Sequence, residues 1–194
     1  MRVSPIAWLF DTLHQVHFEA IKSAKLTHNH PEGVKGAVAV AEAIFLARKG
    51  VSKAEIRSRI CGVYGYNLNF SLDEIRPTYR FDMTCPGSVP QAVVAFLESD
   101  DFESAIRNAI SIGGDSDTIA SMAGGIAEAY YSHIPLGVVN EALARLDQYL
   151  SDLLFQFIIQ VEEITKCLPP CSKRKNKSLA IINKQLVGVT DLNL

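Results

Sequence analysis

The residues best suited to chemistry lie together in one short segment, 113–118. Two glycines come first, and Asp115, Ser116, Asp117 and Thr118 follow directly. Where a chain enters a helix, residues i and i+2 can point to the same side, so the two carboxylates can converge. Two carboxylates about 5 Å apart repel by roughly 3 kcal/mol at an effective dielectric constant near 20. A divalent cation would offset this repulsion, with the Thr118 hydroxyl as a third oxygen ligand.

The same residue types are also favoured at the start of a helix, where a side-chain oxygen accepts a backbone N–H. Composition alone favours this capping role over metal binding. Capping needs only one such residue, however, and the segment supplies four after its double glycine. The small residues Ala120, Ala123, Gly124 and Gly125 follow, and they predict a helix face that other helices approach closely. The sequence leaves both interpretations open.

A second polar cluster, residues 27–36, comes just before a helix that Pro31 begins. The nitrogens of His28 and the open N-terminus of that helix can both donate hydrogen bonds to a phosphate or a ribose. The alternative, which composition favours, is that Asn29 or His30 caps the helix and that His28 only packs in the interface. A zinc site from His28 and His30 is disfavoured, since no third ligand is apparent.

Other groups are weaker candidates. His14 and His17 share one helix face without a carboxylate at useful spacing, so we expect them at the surface or in a satisfied core position. The aromatic residues of segment 64–85 either line a ligand cleft or form a small core beneath their loop. Neither a disulfide framework nor a metal site is predicted from the four scattered cysteines, Cys61, Cys85, Cys167 and Cys171.

Helical periodicity dominates the chain, and almost no segment shows the alternation that marks strands. The first helix is predicted to open at Pro5 and to continue through Ile21 in one piece. Apolar spacing, capping residues and prolines place the others at 31–49, 52–63, 89–98, 101–111, 117–131 and 135–166, with a short helix at 71–75 inside an irregular segment, 64–88. The predicted fold class is therefore all-α, a multi-helix bundle.

Composition limits the function classes. The 194 residues are 48% hydrophobic and carry a net charge of -2, which excludes disorder over most of the chain. The near-balanced charge gives no electrostatic reason to expect nucleic acid or membranes as partners. No apolar run approaches the roughly 18–20 residues that span a bilayer, so we expect a cytoplasmic protein. We predict one helical domain over 1–166 and a loosely attached tail over 167–194.

Several stretches resemble the ADP-ribosylglycohydrolases, the family of dinitrogenase reductase-activating glycohydrolase and the ADP-ribosyl-acceptor hydrolases. The similarity is close at 27–37, at 124–131 and at 109–120, which holds the Gly-Gly-Asp-x-Asp-Thr motif. Residues 75–82 and 88–99 are similar to the bacterial branch of the family. Altogether the resemblance covers residues 1–166.

The resemblance implies an all-α fold around two magnesium ions. It implies hydrolysis of the glycosidic bond that joins ADP-ribose to a protein side chain, with arginine as the expected acceptor. It implies Asp115, Asp117 and Thr118 as Mg²⁺ ligands and places His28 against the ADP-ribose. In the family, the remaining ligands come from N-terminal motifs that this sequence does not contain, so we expect an N-terminally truncated form of the bundle.

Two functional hypotheses follow. The chain is either a hydrolase with a partial magnesium site and weak or no activity alone, or a non-catalytic remnant that binds ADP-ribose or a protein partner. The expected partners are therefore ADP-ribosylated proteins or ADP-ribose. Apolar faces left by the missing helices would also favour association into homo-oligomers.

Overall fold

The computed structural model describes residues 1–167 and 182. Within these residues the chain forms helices and no strands, which confirms the predicted all-α class. The helices are α1 (Ser4–Leu9), α2 (Leu13–Lys25), α3 (Pro31–Arg48), α4 (Lys53–Tyr64), α5 (Leu72–Ile75), α6 (Cys85–Leu97), α7 (Phe102–Ser111), α8 (Ser116–Tyr131), α9 (Leu136–Leu143) and α10 (Gln148–Cys167). They divide between two compact units, Met1–Tyr131 and Ser132–Leu194.

Helix α3 is the centre of the first unit and packs against α1, α2, α4, α6 and α8. Its buried residues lie on every side of the helix, as is typical of a helix inside a core. Most of them are small or β-branched, and they include Gly36, Val38, Ala39, Val40, Ala41, Ala43 and Ala47. Small side chains let the neighbouring helices approach closely. At Gly36, an added Cβ would lie only 2.6 Å from the Cys85 sulfur at the start of α6.

Gly124 and Gly125 of α8 likewise allow neighbouring helices to approach closely. A Cβ added to Gly124 would lie 2.8 Å from Cδ1 of Ile106 on α7, and one added to Gly125 would lie 3.3 Å from Cδ1 of Ile44 on α3. Helix α8 therefore packs against α7 on one side and α3 on the other, as its run of small residues predicts.

A buried carboxylate, Glu42, ties three helices together at the middle of α3. Its side chain is 1% exposed. One carboxylate oxygen, Oε1, lies 2.8 Å from Nδ1 of His17 on α2. The other, Oε2, accepts hydrogen bonds from Nε and Nη2 of Arg59 on α4, at 3.1 and 3.0 Å. These partners offset the cost of burying the charge. His17 is half-exposed, and its carboxylate partner comes from another helix rather than from its own sequence neighbours.

The predicted single helix through Pro5 and Ile21 is wrong, because the chain breaks between α1 and α2. Thr12 starts α2 with a capping box, in which its hydroxyl accepts the Gln15 N–H at 3.2 Å and the Gln15 side chain accepts the Thr12 N–H. The carbonyls that end α1 are satisfied by Arg48, which donates to Trp8 O at 2.5 Å and to Phe10 O at 2.7 Å. The Arg48 side chain thus supplies the hydrogen-bond donors that the next helical turn would otherwise provide.

Helix α6 begins one turn earlier than predicted. Thr84 caps it by accepting the Gly87 N–H at 3.2 Å, and Pro86 sits in the first turn, where a missing N–H costs nothing. Pro90, which was expected near the helix start, lies inside the helix. The other predicted helices of the first unit agree with the structure to within a few residues.

The second unit contains α9 and α10 instead of the one long helix predicted from Pro135. Asp147 separates them, since its Oδ1 accepts the Leu150 N–H at 2.8 Å and so caps the start of α10. The predicted tail, 167–194, lies outside the described residues apart from Cys167 and Ile182. The described helices include none that combines the length and hydropathy needed to cross a membrane.

Several large apolar side chains of the first unit are exposed, including Phe18, Leu26, Phe81 and Met83. Exposed apolar surface of this kind is what association between copies requires. Homo-oligomerisation stays a prediction.

The Glu42 network generates a stability prediction. Replacing Arg59 by methionine keeps most of the buried aliphatic stem but removes both hydrogen bonds that Arg59 donates to Glu42 Oε2. We expect the free energy of unfolding to fall by about 2 kcal/mol, less than for a fully buried pair because Arg59 is partly exposed. Arg107→Met, which breaks an exposed pair with Glu103, is the matched control and should cost under about 0.5 kcal/mol. Equal losses in denaturant titrations would contradict the prediction.

Glu128 on α8 generates a pH prediction, because burial raises its pKa to about 7. The folded state favours the protonated carboxyl group, so Glu128 does not reduce the free energy of unfolding below its ordinary pKa of 4.5. As the pH rises from there through 7, the free energy of unfolding falls. Glu128→Gln should therefore be more stable than the wild type at pH 8, by about 1–3 kcal/mol, with little difference at pH 4.5. Unfolding curves of both proteins at the two pH values test this, and a pH-independent difference would refute it.

Candidate functional site

The acidic segment lies in a tight reversal between α7 and α8. Gly113 and Gly114 have φ values of +72° and +66°, two left-handed residues in succession. Glycine adopts this region without steric cost, whereas most residues do not. The first turn of α8 then forms when Ile119 N–H bonds to Asp115 O at 3.1 Å. The double glycine thus places Asp115, Ser116, Asp117 and Thr118 at the N-terminal end of α8.

Asp115 and Asp117 do converge. The Asp115 side chain and the Thr118 backbone N–H both lie within reach of the Asp117 carboxyl group and lower its pKa. Two carboxylates this close repel each other, and a divalent cation bound between them would offset that repulsion. A carboxylate has about four lone-pair positions, so accepting one backbone N–H leaves others free for a metal.

These donors suit magnesium chemically but form a partial set. Two carboxylates and the Thr118 hydroxyl are hard oxygen donors, the type that Mg²⁺ prefers. In the part of the chain that the structure describes, no three His, Cys, Asp or Glu side chains are grouped as a metal site. Asp115, Asp117 and Thr118 would therefore hold an ion together with water, substrate or ligands from elsewhere.

A cavity of about 330 Å³ brings the two predicted segments together. His28 and Thr118, which lie far apart in the sequence, both line it. The wall includes residues near the N-terminal ends of three helices: Gly33, Gly36 and Ala37 of α3, Cys85, Ser88 and Val89 of α6, and Thr118 and Met122 of α8. Asp115 and Asp117 come just before Thr118 in the sequence, but they do not line the cavity.

The order of these contacts shows that α3 and α8 run side by side in the same direction. Gly33 and Thr118 meet at the cavity near the starts of the helices, and Ile44 lies against Gly125 further along. Each helix N-terminus carries a partial positive charge of roughly half an elementary unit. Their convergence makes the cavity a favourable place for an anionic ligand.

The His28 ring is held by neighbours that sequence reasoning missed. Its Nδ1 lies 2.8 Å from the Thr27 hydroxyl oxygen, which also accepts a hydrogen bond from Arg2 Nη2 at 2.7 Å. Arg2 lines the cavity as well, and it donates to Ser23 O at 2.6 Å. The cap of α3 is His30, whose Nδ1 accepts the Glu32 N–H at 3.3 Å. His28 is therefore free of the capping role.

The other candidate residues from the sequence lie away from the His28 cavity or outside the described side chains. His14 is exposed on α2. Tyr64 and Tyr66 are buried, as a core beneath the loop predicts, and Phe81 is 64% exposed. Tyr66 and Phe70 line a second cavity of about 370 Å³, separate from the one that holds His28. The cysteine pair Cys167 and Cys171 lies outside the residues whose side chains are described.

Comparison with known proteins identifies the relationship. The family model described as ADP-ribosylglycohydrolase matches residues 1–163. This chain belongs to the ADP-ribosylglycohydrolase family. The matched range contains His28 and the whole acidic segment of the candidate site.

Proteins similar to this chain are found in mammals and in an archaeon. ADP-ribosylhydrolase ARH3 of Mus musculus is 30% identical, over 68% of this chain and 48% of the relative. ARH3 of Homo sapiens is 29% identical with the same coverage. An uncharacterized protein of Archaeoglobus fulgidus is 30% identical, over 70% of this chain and 49% of the relative. The chain therefore spans about half the length of the curated relatives that it matches.

The carboxyl pair of Asp115 and Asp117 generates a metal-binding prediction. Millimolar Mg²⁺ should raise the melting temperature of the wild type, because a cation that binds only the folded state stabilises it. Asp117→Asn should abolish most of that rise, since an amide binds Mg²⁺ far more weakly than a carboxylate. Asp100→Asn, at an exposed aspartate outside the segment, should keep it. An equal rise in all three proteins would show that the ion binds elsewhere.

Proposed function

We propose that this chain binds the ADP-ribose group of modified proteins and takes part in magnesium-assisted hydrolysis of its glycosidic bond, with arginine as the expected acceptor side chain. The observation that supports the proposal is the shared cavity of His28 and Thr118, bounded by three helix N-termini. Family membership supports the same reaction class. The relatives named ADP-ribosylhydrolase ARH3 add to this support.

The cavity suits part of an anionic, sugar-bearing ligand. At about 330 Å³ it is at the small end of the range for small-molecule sites, so it would hold a portion of ADP-ribose. The helix ends and the Arg2 guanidinium favour the diphosphate. His28 would donate a hydrogen bond from its Nε2 to a phosphate or ribose oxygen, since its Nδ1 faces Thr27. The apolar lining, which includes Val40, Val89 and Met122, would exclude water from one side.

The reaction itself adds water across the bond between the anomeric carbon and the acceptor nitrogen. The water oxygen bonds to carbon, the carbon–nitrogen bond breaks, and the nitrogen leaves with a proton. Asp115, Asp117 and Thr118 would hold Mg²⁺, and the ion would supply Lewis-acid chemistry to ribose oxygens and to a water. The task of this chain's residues is to fix the ribose beside that ion.

A second candidate function is binding of ADP-ribose without hydrolysis. The partial donor set favours it, because two carboxylates and one hydroxyl leave most positions of a six-coordinate ion to other ligands. The two candidates share the His28 cavity and differ in turnover.

Binding and turnover measured together separate the candidates. In calorimetry with ADP-ribose and Mg²⁺, we expect His28→Ala to weaken binding about tenfold, as loss of one hydrogen bond to a charged group does. His14→Ala, an exposed histidine of α2, is the control and should bind as the wild type does. With ADP-ribosyl-arginine as substrate we expect slow turnover or none.

The outcomes have distinct meanings. Substantial turnover that Asp117→Ala abolishes would establish the hydrolase and contradict the expectation of slow or no turnover. Binding without turnover would favour the second candidate. Absence of both binding and turnover, or binding that His28→Ala does not affect, would refute the proposal.

A further inference from the structure

Tyr79 lies in the loop between α5 and α6 and packs directly on the acidic segment. A Cβ added to Gly114 would overlap Cε1 of the Tyr79 ring and lie 3.1 Å from its Cδ1. The ring therefore covers Gly114 at contact distance. At the neighbouring Gly113, an added Cβ would meet no atom within 4 Å. Tyr79 thus contacts Gly114, whereas the space beside Gly113 is unoccupied.

Tyr79 is itself fixed at both ends. Its backbone N–H donates to Ile75 O at 2.7 Å, which attaches it to the end of α5. Its hydroxyl donates to Gly87 O at 2.8 Å, in the first turn of α6. The side chain is only partly exposed. A ring held in this way forms a rigid surface, because neither its backbone nor its far end can move without breaking a hydrogen bond.

The acceptor of the Tyr79 hydroxyl is also held in place. Asp82 Oδ1 accepts the Thr84 N–H at 2.7 Å, just before α6 begins. The Asp82 carboxylate lies so close to Gly87 that an added Cβ there would overlap it. The N-terminus of α6, which lines the His28 cavity, is in this way linked through Tyr79 to the turn that precedes α8.

The turn needs such support because of its composition. Two glycines in succession have more accessible backbone conformations than any other pair of residues, and they lose more entropy when ordered. The separation of Asp115 and Asp117 depends on how the chain leaves Gly114. A binding site must hold its groups to within about 0.5 Å, and packing from a neighbouring layer is the usual means.

We propose that Tyr79 is a positioning residue, whose ring holds the Gly113–Gly114 turn so that Asp115 and Asp117 keep the arrangement that binds a divalent cation. The effect on the cation rests on the proposed function. The effect on the turn does not, and it can be measured without metal.

Three variants test the inference. Tyr79→Phe removes only the hydroxyl that bonds Gly87, and Tyr79→Leu also removes the ring from Gly114. Tyr131→Phe is the matched control, because the Tyr131 hydroxyl donates to Ser99 O at 2.6 Å, away from the turn. Hydrogen exchange of a peptide covering 112–118 reports on the turn, and electron paramagnetic resonance with Mn²⁺ reports on the cation site.

In metal-free protein, we expect exchange of 112–118 to be about tenfold faster in Tyr79→Leu, a few-fold faster in Tyr79→Phe, and unchanged in Tyr131→Phe. The dissociation constant for Mn²⁺ should rise in the same order, by about tenfold in Tyr79→Leu, as is typical when a residue that orients metal ligands is removed. If Tyr79→Phe keeps part of the exchange protection and part of the Mn²⁺ affinity, the ring itself contributes to holding the turn. If Tyr79→Leu does not fold, the comparison of Tyr79→Phe with Tyr131→Phe decides.

Unchanged exchange at 112–118 in the Tyr79 variants, or an equal change in Tyr131→Phe, would overturn the inference. Faster exchange with unaltered Mn²⁺ affinity would also overturn it, because the turn would then not govern the cation site. If the wild type binds no Mn²⁺, the proposed metal site fails and with it the cation part of the inference. The exchange data would still decide whether Tyr79 holds the turn.

Discussion

Two successive left-handed residues, Gly113 and Gly114, are the backbone constraint that shapes the candidate site. They let the chain reverse between α7 and α8 within a few residues, so that four oxygen-bearing side chains arrive together at the start of a helix. A side chain at either position would strain the turn, and at Gly114 it would also collide with Tyr79. The proximity of Asp115 and Asp117 is a consequence of this reversal.

Close packing of small residues supplies the second requirement, which is that distant motifs meet. Helix α3 carries alanine, valine and glycine on nearly every side, and α8 presents Gly124 and Gly125 to its neighbours. Short distances between helix axes follow, and the starts of α3, α6 and α8 come to a single cavity. The interior Glu42 network holds α2 and α4 to the same core. The packing that stabilises the unit is thus also what assembles the site.

The electrostatics of the site combine opposite signs over a short distance. Three helix N-termini and Arg2 favour an anion in the cavity, while Asp115 and Asp117 beside it favour a cation. A ligand that carries a diphosphate and is bound together with a divalent ion satisfies both demands.

Local rules explain what could be inferred before the structure was known. Helix periodicity, prolines and capping residues predicted most elements. The acidic motif after a double glycine indicated the family and, together with His28, a candidate site. The breaks at Thr12 and Asp147 were missed because a capping side chain ends a helix without interrupting its apolar spacing. The roles of Arg2, Arg48, Glu42 and Tyr79 depend on contacts between residues far apart in the chain. No local pattern encodes such contacts, since they exist only once packing against α3 has fixed which helices are neighbours.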